Sequence, residues 1–351
     1  MKVTLSDIAK QEGVTPATVQ RALKGSPGVS ERKRRDILRT AARMGYNKDI
    51  RRNFRRIAVL FPRWTEANRY YPNYIWQGID QYAAEAGENF EILKSYYEHL
   101  DSESQLQALR ELLSTQHGRL DGLVTIGSHK PEIVAALRAF EEKEIPVSLM
   151  GVDGEGGRIC CVRLDYELSG HMAADLLIGF GAIQNHSRII VCGYFMGVSQ
   201  YNNSQAFERR IWESGLHLDI LKIDNDQDPA IVKSRMEDAL KYDPGVSAIY
   251  STSSRATIPM CEAVREMGLT GKIKTIGSDI FPESVRLLQN NELSAIIYNR
   301  HTLIARQSVE VLDRYLAGKE IPCANILMPS VVVTASNAEH YIKADGIPCN
   351  A

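Results

Sequence analysis

From Ile57 onward, short apolar runs alternate with stretches in which apolar positions recur every three or four residues. Runs of strand length separated by amphipathic helical patterns are the signature of parallel α/β units. One set of strands is expected over 57–61 (IAVLF), 90–96 (FEILKSY), 121–127 (DGLVTIG) and 146–151 (PVSLMG). A second set is expected over 188–194 (RIIVCGY), 218–223 (LDILKI), 246–251 (VSAIYS) and 272–278 (KIKTIGS). The strand SAIIYN (294–299) precedes a long helix over 301–318. Two such sets exceed one sheet of ordinary domain size, so two lobes are expected, with a cleft at the strands' carboxyl ends where open parallel sheets take ligands.

The first 46 residues have a different rhythm: three short helical patterns with clear starts and stops. Thr4 and Asp7 form an [ST]-x-x-[DE] capping box ahead of Leu5, Ile8 and Ala9, and Gly13 supplies the turn. Thr15 caps a second helix with Pro16 at its first position, and Val19, Ala22 and Leu23 point inward. A third starts at Ser30, runs through Ile37, Leu38, Ala41 and Met44, and stops at Gly45. Two helices joined by a tight turn and braced by a third describe a helix-turn-helix.

Charge sharpens this division. The formal net charge is −1, yet residues 1–56 hold 15 Lys and Arg against five acidic residues, and the remainder holds 27 against 38. The head is therefore at +10 and the body at −11, an asymmetry expected when one end meets a polyanion. With 44% hydrophobic and 24% charged residues the chain can bury a substantial core. No uncharged apolar run approaches the roughly 18 residues of a membrane helix, so a soluble cytoplasmic protein with no membrane partner is expected. The six cysteines lack C-x-x-C spacing and read as reduced, mostly buried thiols.

VTLSDIAKQEGVTPATVQRALKGSPGVSERKRRDILRTAARMGY resembles the headpiece of LacI/GalR-type bacterial transcription regulators. The match combines D-I-A, G-V-T, T-V-x-R-x-L, the V-S before the third helix and the closing G-Y. The resemblance implies that the second helix lies in the major groove of double-stranded DNA. It makes Pro16, Ala17, Gln20 and Arg21 base-facing, and Thr4, Thr15, Thr18 and Ser30 phosphate-binding. Side-chain chemistry is compatible: Arg pairs with guanine O6 and N7, Gln with adenine N6 and N7, while Pro16 and Ala17 offer only apolar contact to a thymine methyl. A solvated helix face is the alternative for Gln20 and Arg21. The cluster Arg32–Arg35 reads as a phosphate-attracting or solvated face, so loss of Arg34 is expected to weaken binding to any DNA and to lower its salt dependence.

Residues 47–56 form a basic linker that departs from the family. The usual Pro-Asn pair and leucine wedge are missing from Asn47-Lys48-Asp49-Ile50-Arg51-Arg52-Asn53-Phe54-Arg55-Arg56, so the resemblance does not carry a hinge helix onto it. Two readings stand: an apolar wedge at Ile50 or Phe54, or a tether that touches phosphates.

The body, 57–351, is similar to the type I periplasmic-binding-protein fold of the same family. This implies an α/β, two-lobed body of parallel sheets, preceded by the small all-α helix-turn-helix domain. Lobe 1 is expected over about 57–164 and 299–326, and lobe 2 over about 165–298 and 327–351. Ile276-Gly277-Ser278-Asp279 matches the family's V-G-x-D, whose aspartate accepts sugar hydroxyls, and a carboxylate's two acceptor oxygens suit a vicinal diol. Asp279 is thus the first effector-contact candidate; its alternative is an N-cap on a helix near Pro282. By position in the family's loops, Arg63, Tyr71, Asn203, Ser253 and Asn299 follow, with Trp64 and Ser254 beside them and Gly151 where an aspartate often stands. The aromatic and amide set suits a carbohydrate; Arg63, Arg69, Arg255 and Arg300 leave room for an anionic sugar or sugar phosphate.

Catalysis is not expected: the chain has no P-loop, G-x-S-x-G or H-E-x-x-H, and Gly154-Glu155-Gly156-Gly157 lacks a dinucleotide-site context. His171 and His301 read as ordinary surface histidines, so neither metal nor cofactor is expected. The resulting expectation is a homodimeric regulator on a near-palindromic operator, acting as repressor or activator, with a small-molecule effector bound between the lobes that sets its DNA affinity.

Overall fold

The computed structural model describes residues 3–24, 26–46, 55–63, 71–87, 90–98, 101–116, 120–193, 195, 197–224 and 228–347. The linker readings at Ile50 and Phe54, and those at Trp64, Arg69 and Cys349, lie outside these residues.

The head is three helices, α1 (Leu5–Glu12), α2 (Pro16–Leu23) and α3 (Glu31–Met44). Both expected N-caps form: the Thr4 hydroxyl accepts from the Asp7 N–H, and the Thr15 hydroxyl from that of Thr18. Gly13 closes α1 at φ 62°, a left-handed conformation that glycine adopts without steric cost. Ile8, Ala9, Val19, Ala22, Ile37 and Ala41 form the miniature core, with Leu5, Leu23 and Met44 packed around it. Six fully buried side chains of modest size make a marginal core, so polar ties between the helices carry weight in the head.

Among the described residues the body holds twelve strands in two six-stranded sheets. The first comprises β1 (Arg55–Pro62), β2 (Phe90–Tyr97), β3 (Gly122–Ile126), β4 (Val147–Met150), β5 (Cys160–Leu164) and β11 (Asn325–Met328). The second comprises β6 (Arg188–Gly193), β7 (Asp219–Asp224), β8 (Val246–Ser251), β9 (Lys274–Ser278), β10 (Ala295–Tyr298) and β12 (Val331–Val333). Their orders are β2-β1-β3-β4-β5-β11 and β7-β6-β8-β9-β10-β12, the same doubly wound arrangement twice. β10 pairs with β12 antiparallel, while β6 through β10 pair in parallel. Strands β5, β11 and β12 were not expected: each is only three to five residues long, β5 carries Arg163, β11 alternates between exposed and half-buried positions, and β12 is a run of three valines too short to stand out.

Helices α4 (Tyr71–Ala86), α5 (Ser102–Gln116), α6 (Pro131–Glu141), α7 (Tyr166–Gly179), α8 (Val198–Glu213), α9 (Pro229–Tyr242), α10 (Ser254–Glu266), α11 (Pro282–Gln289), α12 (His301–Leu316) and α13 (Ala338–Ala344) complete the body. By contacts the chain divides into one unit of residues 1–63, 76–162 and 305–326 and another of 64–75, 163–304 and 327–351. Each has its own apolar core, drawn from the buried faces of its sheet. In the second unit α7 lies so close to α8 that a Cβ on Gly170 would stand 2.4 Å from the Asn203 carbonyl oxygen. Cys160, Cys161, Cys192 and Cys261 are buried free thiols and Cys323 is exposed. Burial pushes the Cys160 thiol up to about 11 and that of Cys192 up to about 12, so neither supplies a thiolate near neutral pH. No described helix is long and apolar enough to cross a membrane, and among the described residues no cluster of His, Cys, Asp and Glu is placed to hold a metal ion.

Candidate functional site

In the head, helical periodicity sorts α2 into two faces. Val19 and Ala22 are buried, while Pro16, Ala17, Gln20 and Arg21 are exposed together on the opposite side, one turn apart. An exposed α2 face carrying one guanidinium and one amide is able to read base edges. The four hydroxyl residues differ in what they have left to give. Thr4 donates its hydroxyl proton to the Asp7 carboxylate at 2.7 Å, which leaves a phosphate no donor there and sets a carboxylate beside it. The Thr15 and Thr18 hydroxyls are 2.9 Å apart and share one hydrogen bond, so one proton of the pair remains to donate. Ser30 only accepts, from the Lys33 N–H at 3.4 Å, and keeps its proton.

The basic cluster on α3 departs from the sequence reading. Arg34 donates to the carbonyl oxygens of Ala22 (3.2 Å) and Ser26 (2.7 Å), satisfying acceptors at the end of α2 and in the turn beyond it. Lys33 donates to the Glu12 carbonyl at 2.6 Å and pairs with its carboxylate at 3.1 Å, which also accepts from the Thr40 hydroxyl at 2.6 Å. Lys33 therefore ties α3 to α1, Arg34 ties it to α2 and the turn beyond, and neither is free for phosphate. Arg32 and Arg39 remain exposed on α3, and the side chain of Arg35 lies outside the description.

In the second unit, Asp279 follows β9 directly and holds φ 66°, an uncommon conformation for a residue with a side chain. Its N–H donates to the Ile297 carbonyl, and its Oδ1 accepts from the Asn299 N–H at 3.2 Å. The carboxylate does not cap α11: Phe281 occupies that N-cap, and the Ser284 hydroxyl accepts the Phe281 N–H instead. The N-cap reading is overturned because the turn at Ile280 carries Asp279 away from the helix start and toward β10. Tyr74 fixes this turn from α4, donating its hydroxyl to the Ile280 carbonyl at 2.7 Å.

His301, expected as an ordinary surface residue, begins α12 with its side chain 18% exposed and its Nε2 3.3 Å from Asp279 Oδ2. Tyr71 packs on the imidazole edge-to-face at 4.8 Å, and burial, with Tyr166 and Asp279 nearby, pushes its phenol well above the usual range. His171 is likewise half-buried, with an Nε2 that lacks a hydrogen-bond partner. Asn299 is 8% exposed and accepts at Oδ1 from Ser330, which shares a hydrogen bond with Ser169 at 2.7 Å.

The remaining candidates are committed to the protein to different degrees. Asn203 is 5% exposed and accepts from the fully buried Tyr250 hydroxyl at 2.6 Å. Ser253 uses its hydroxyl lone pair as the N-cap of α10, accepting from the Ala256 N–H. In the first unit, Arg63 sits at the end of β1, pairs with Glu98 at 2.9 Å and lies over the Tyr96 ring at 5.3 Å. Arg300, at φ 49°, is held by Asp345 through bonds of 2.8 and 3.1 Å. Within the second unit, Asp279, Asn299, His301 and Tyr71 thus gather around the carboxyl ends of β9 and β10, while Arg63 belongs to the first unit. His301, Tyr166, Ser169 and Ser330 were not among the sequence candidates; a histidine two residues beyond a candidate at a strand's carboxyl end was the one available signal.

Residues 4–49 match the model of bacterial regulatory proteins of the lacI family, and 57–320 match that of a periplasmic binding protein domain. Catabolite control protein A of Priestia megaterium is 23% identical over 344 residues, 94% of this chain and 97% of that one. The HTH-type transcriptional regulator DegA of Bacillus subtilis is 22% identical over 62% of this chain and 64% of its own. Among solved structures, the glucose-galactose binding protein GanP of Geobacillus stearothermophilus superposes with a TM-score of 0.68 at 21% identity, over 81% of this chain and 98% of that one. A solute-binding protein from Agrobacterium vitis bound with α-D-tagatopyranose reaches 0.72 at 18% identity, over 84% and 99%. The chain therefore belongs, over its body, to the periplasmic binding protein domain family, and joins to it the DNA-binding head of the lacI family of bacterial regulators.

Proposed function

We propose that the protein is a sequence-specific DNA-binding transcription regulator whose operator affinity is set by a polyhydroxylated small molecule held in the body. The observation that carries this reading is the union, in one chain, of a helix-turn-helix head with an exposed Gln20–Arg21 face and a doubly wound body with Asp279 at a strand's carboxyl end. Arg21 is assigned to a guanine, Gln20 to an adenine, and Pro16 and Ala17 to apolar contacts. Ser30 and the Thr15–Thr18 pair are assigned to phosphate.

The relatives are a catabolite control protein and a transcriptional regulator, and of the structural neighbours one is a glucose-galactose binding protein and the other is bound with α-D-tagatopyranose; both favour a carbohydrate effector over an enzyme substrate. A neutral polyol is preferred to an anion because Arg63 and Arg300 already pair with Glu98 and Asp345. A cytoplasmic homodimer on a near-palindromic operator fits this reading, since two heads related by a two-fold axis read two half-sites.

The test is selection of binding sequences from a random duplex pool by the full chain, followed by anisotropy titration with and without monosaccharides. An enriched near-palindrome whose affinity shifts roughly 5- to 150-fold with one sugar supports the reading. A pool that stays unenriched overturns it.

A further inference from the structure

Two cysteines far apart in sequence meet at the start of the β5–β11 pair in the first unit. The Cys160 thiol, on β5, donates to the Cys323 carbonyl at 3.3 Å, which places its sulfur within about 6 Å of the Cys323 Cα. The chain around Cys323 is pinned in that position. The Cys161 N–H donates to the Ala324 carbonyl at 2.9 Å, and Arg158 donates to the same carbonyl at 2.8 Å and to Asn325 Oδ1 at 3.3 Å. Successive residues of a strand face opposite ways, and Cys161 belongs to the apolar core with Leu123 and Val147, so Cys160 is turned away from that core.

The two thiols differ in access. Cys160 is fully buried, whereas Cys323 is the exposed one among the described cysteines. Cys323 precedes β11, and its Sγ donates to the Asn325 carbonyl at 2.8 Å, a contact that rotation about χ1 releases. Neighbouring strands run about 4.8 Å apart, inside the roughly 4.4–6.8 Å that a disulfide spans between Cα atoms, so a rotated Cys323 can reach Cys160 with little movement of the backbone. Burial, and after it the charge of a Cys323 thiolate, pushes the Cys160 thiol up to about 11, which makes it a poor first target for an oxidant. Its attack on an oxidised neighbour is intramolecular, and proximity offsets its small thiolate fraction.

We propose that Cys323 is a site of reversible oxidation by hydroperoxides and that Cys160 resolves it to a disulfide. In the first step the Cys323 sulfur attacks the peroxide: an S–O bond forms, the O–O bond breaks, and the sulfur gives up two electrons. The thiol proton leaves with the departing oxygen as water or an alcohol. In the second step Cys160 attacks the sulfenic sulfur: the S–S bond forms, the S–O bond breaks, and hydroxide departs with the Cys160 proton as water. One hydroperoxide is consumed for each disulfide, and a thiol reductant reverses the change. The first unit gives way to the second just after Val162 and again just after Ile326, so the disulfide fastens these two connecting runs to each other, whatever the body binds.

The test is peptide mapping by mass spectrometry. The full chain is reduced, freed of reductant and treated with hydrogen peroxide, and its remaining thiols are alkylated before digestion. The expected result is a linked pair of peptides carrying Cys160 and Cys323, lost on adding dithiothreitol and absent from Cys323→Ser. Cys161→Ala keeps the link, which separates Cys160 from its neighbour, and in Cys160→Ala the Cys323 sulfur stops at a sulfenic acid that dimedone traps. Three results overturn the assignment: an unreacted Cys323, a Cys323 that advances to sulfinic acid beside a free Cys160, or a link from Cys323 to any other cysteine. The map of the wild-type chain decides between these outcomes even where a variant does not fold.

Discussion

Arg34→Ala separates a structural cation from a phosphate ligand. The guanidinium donates to the Ala22 and Ser26 carbonyls, and a hydrogen bond to a charged group contributes about 1.5–3 kcal/mol. Partial exposure and the roughly 2 kcal/mol of rotamer entropy spent in ordering the side chain reduce the pair to about 2–3 kcal/mol. A head of this size with six buried core residues has about 3–5 kcal/mol to lose from. At the middle of that range the variant keeps about 1–2 kcal/mol and is roughly 85–97% folded in the head at 25 °C. DNA affinity at that temperature then drops by less than about twofold, and falls steeply on warming as the head opens.

The informative quantity is the salt dependence. A lost phosphate contact lowers the slope of log K against log salt by about 0.9, whereas a lost internal tie leaves it unchanged. Hydrogen exchange at Val19 and Ala22 in the full chain, together with anisotropy titrations at several salt concentrations, gives both readouts. The expected result is faster exchange in α2 with an unchanged slope. A slope reduced by about 0.9 with α2 protection intact would refute the assignment and return Arg34 to the DNA.

Other outcomes follow from the same contacts. Arg21→Ala lowers the preference for selected over scrambled DNA by about 1–3 kcal/mol in competition titrations, while Arg32→Ala weakens both alike and flattens the salt slope. Asn203→Ala leaves the buried Tyr250 hydroxyl without its acceptor and costs about 1–3 kcal/mol by denaturant unfolding, largely recovered when Tyr250→Phe is added. Gly170→Ala gains helix propensity but drives a methyl into the Asn203 carbonyl, for a net loss of about 1–3 kcal/mol in the same assay. Asp7 is held below its usual 3.8 by the Thr4 hydroxyl and N–H, so it stabilises the head above that value. The contribution disappears as pH falls through the lower folded value, and Asp7→Asn flattens the acid limb of α1 amide exchange.

The local elements of this protein were legible because local chemistry produces them. Thr4 with Asp7 and Thr15 with Pro16 fix helix starts within four residues of chain, and runs such as VSAIYS can be buried on both faces only in a covered parallel sheet. The head's two faces follow from the same logic, since Val19 and Ala22 must point inward and thereby turn Gln20 and Arg21 out. Strands β11 and β12 were not legible: their pairing rests on neighbours contributed by distant segments, and at four and three residues they are too short to declare it.

What only the tertiary structure decided is which polar groups remain free. Arg34 and Arg32 are both arginines near the start of one basic helix, yet a carbonyl pair 8 and 12 residues upstream claims the first and leaves the second exposed. Asp279 was marked by its motif, but its φ of 66° and the Asn299 N–H across β10 aim its carboxylate at His301, 22 residues away. Periodicity and capping act over one helical turn or one strand, so the sequence determines them by itself. Hydrogen-bond commitment acts between residues brought together by the fold, and a side chain's availability for DNA or effector is settled there.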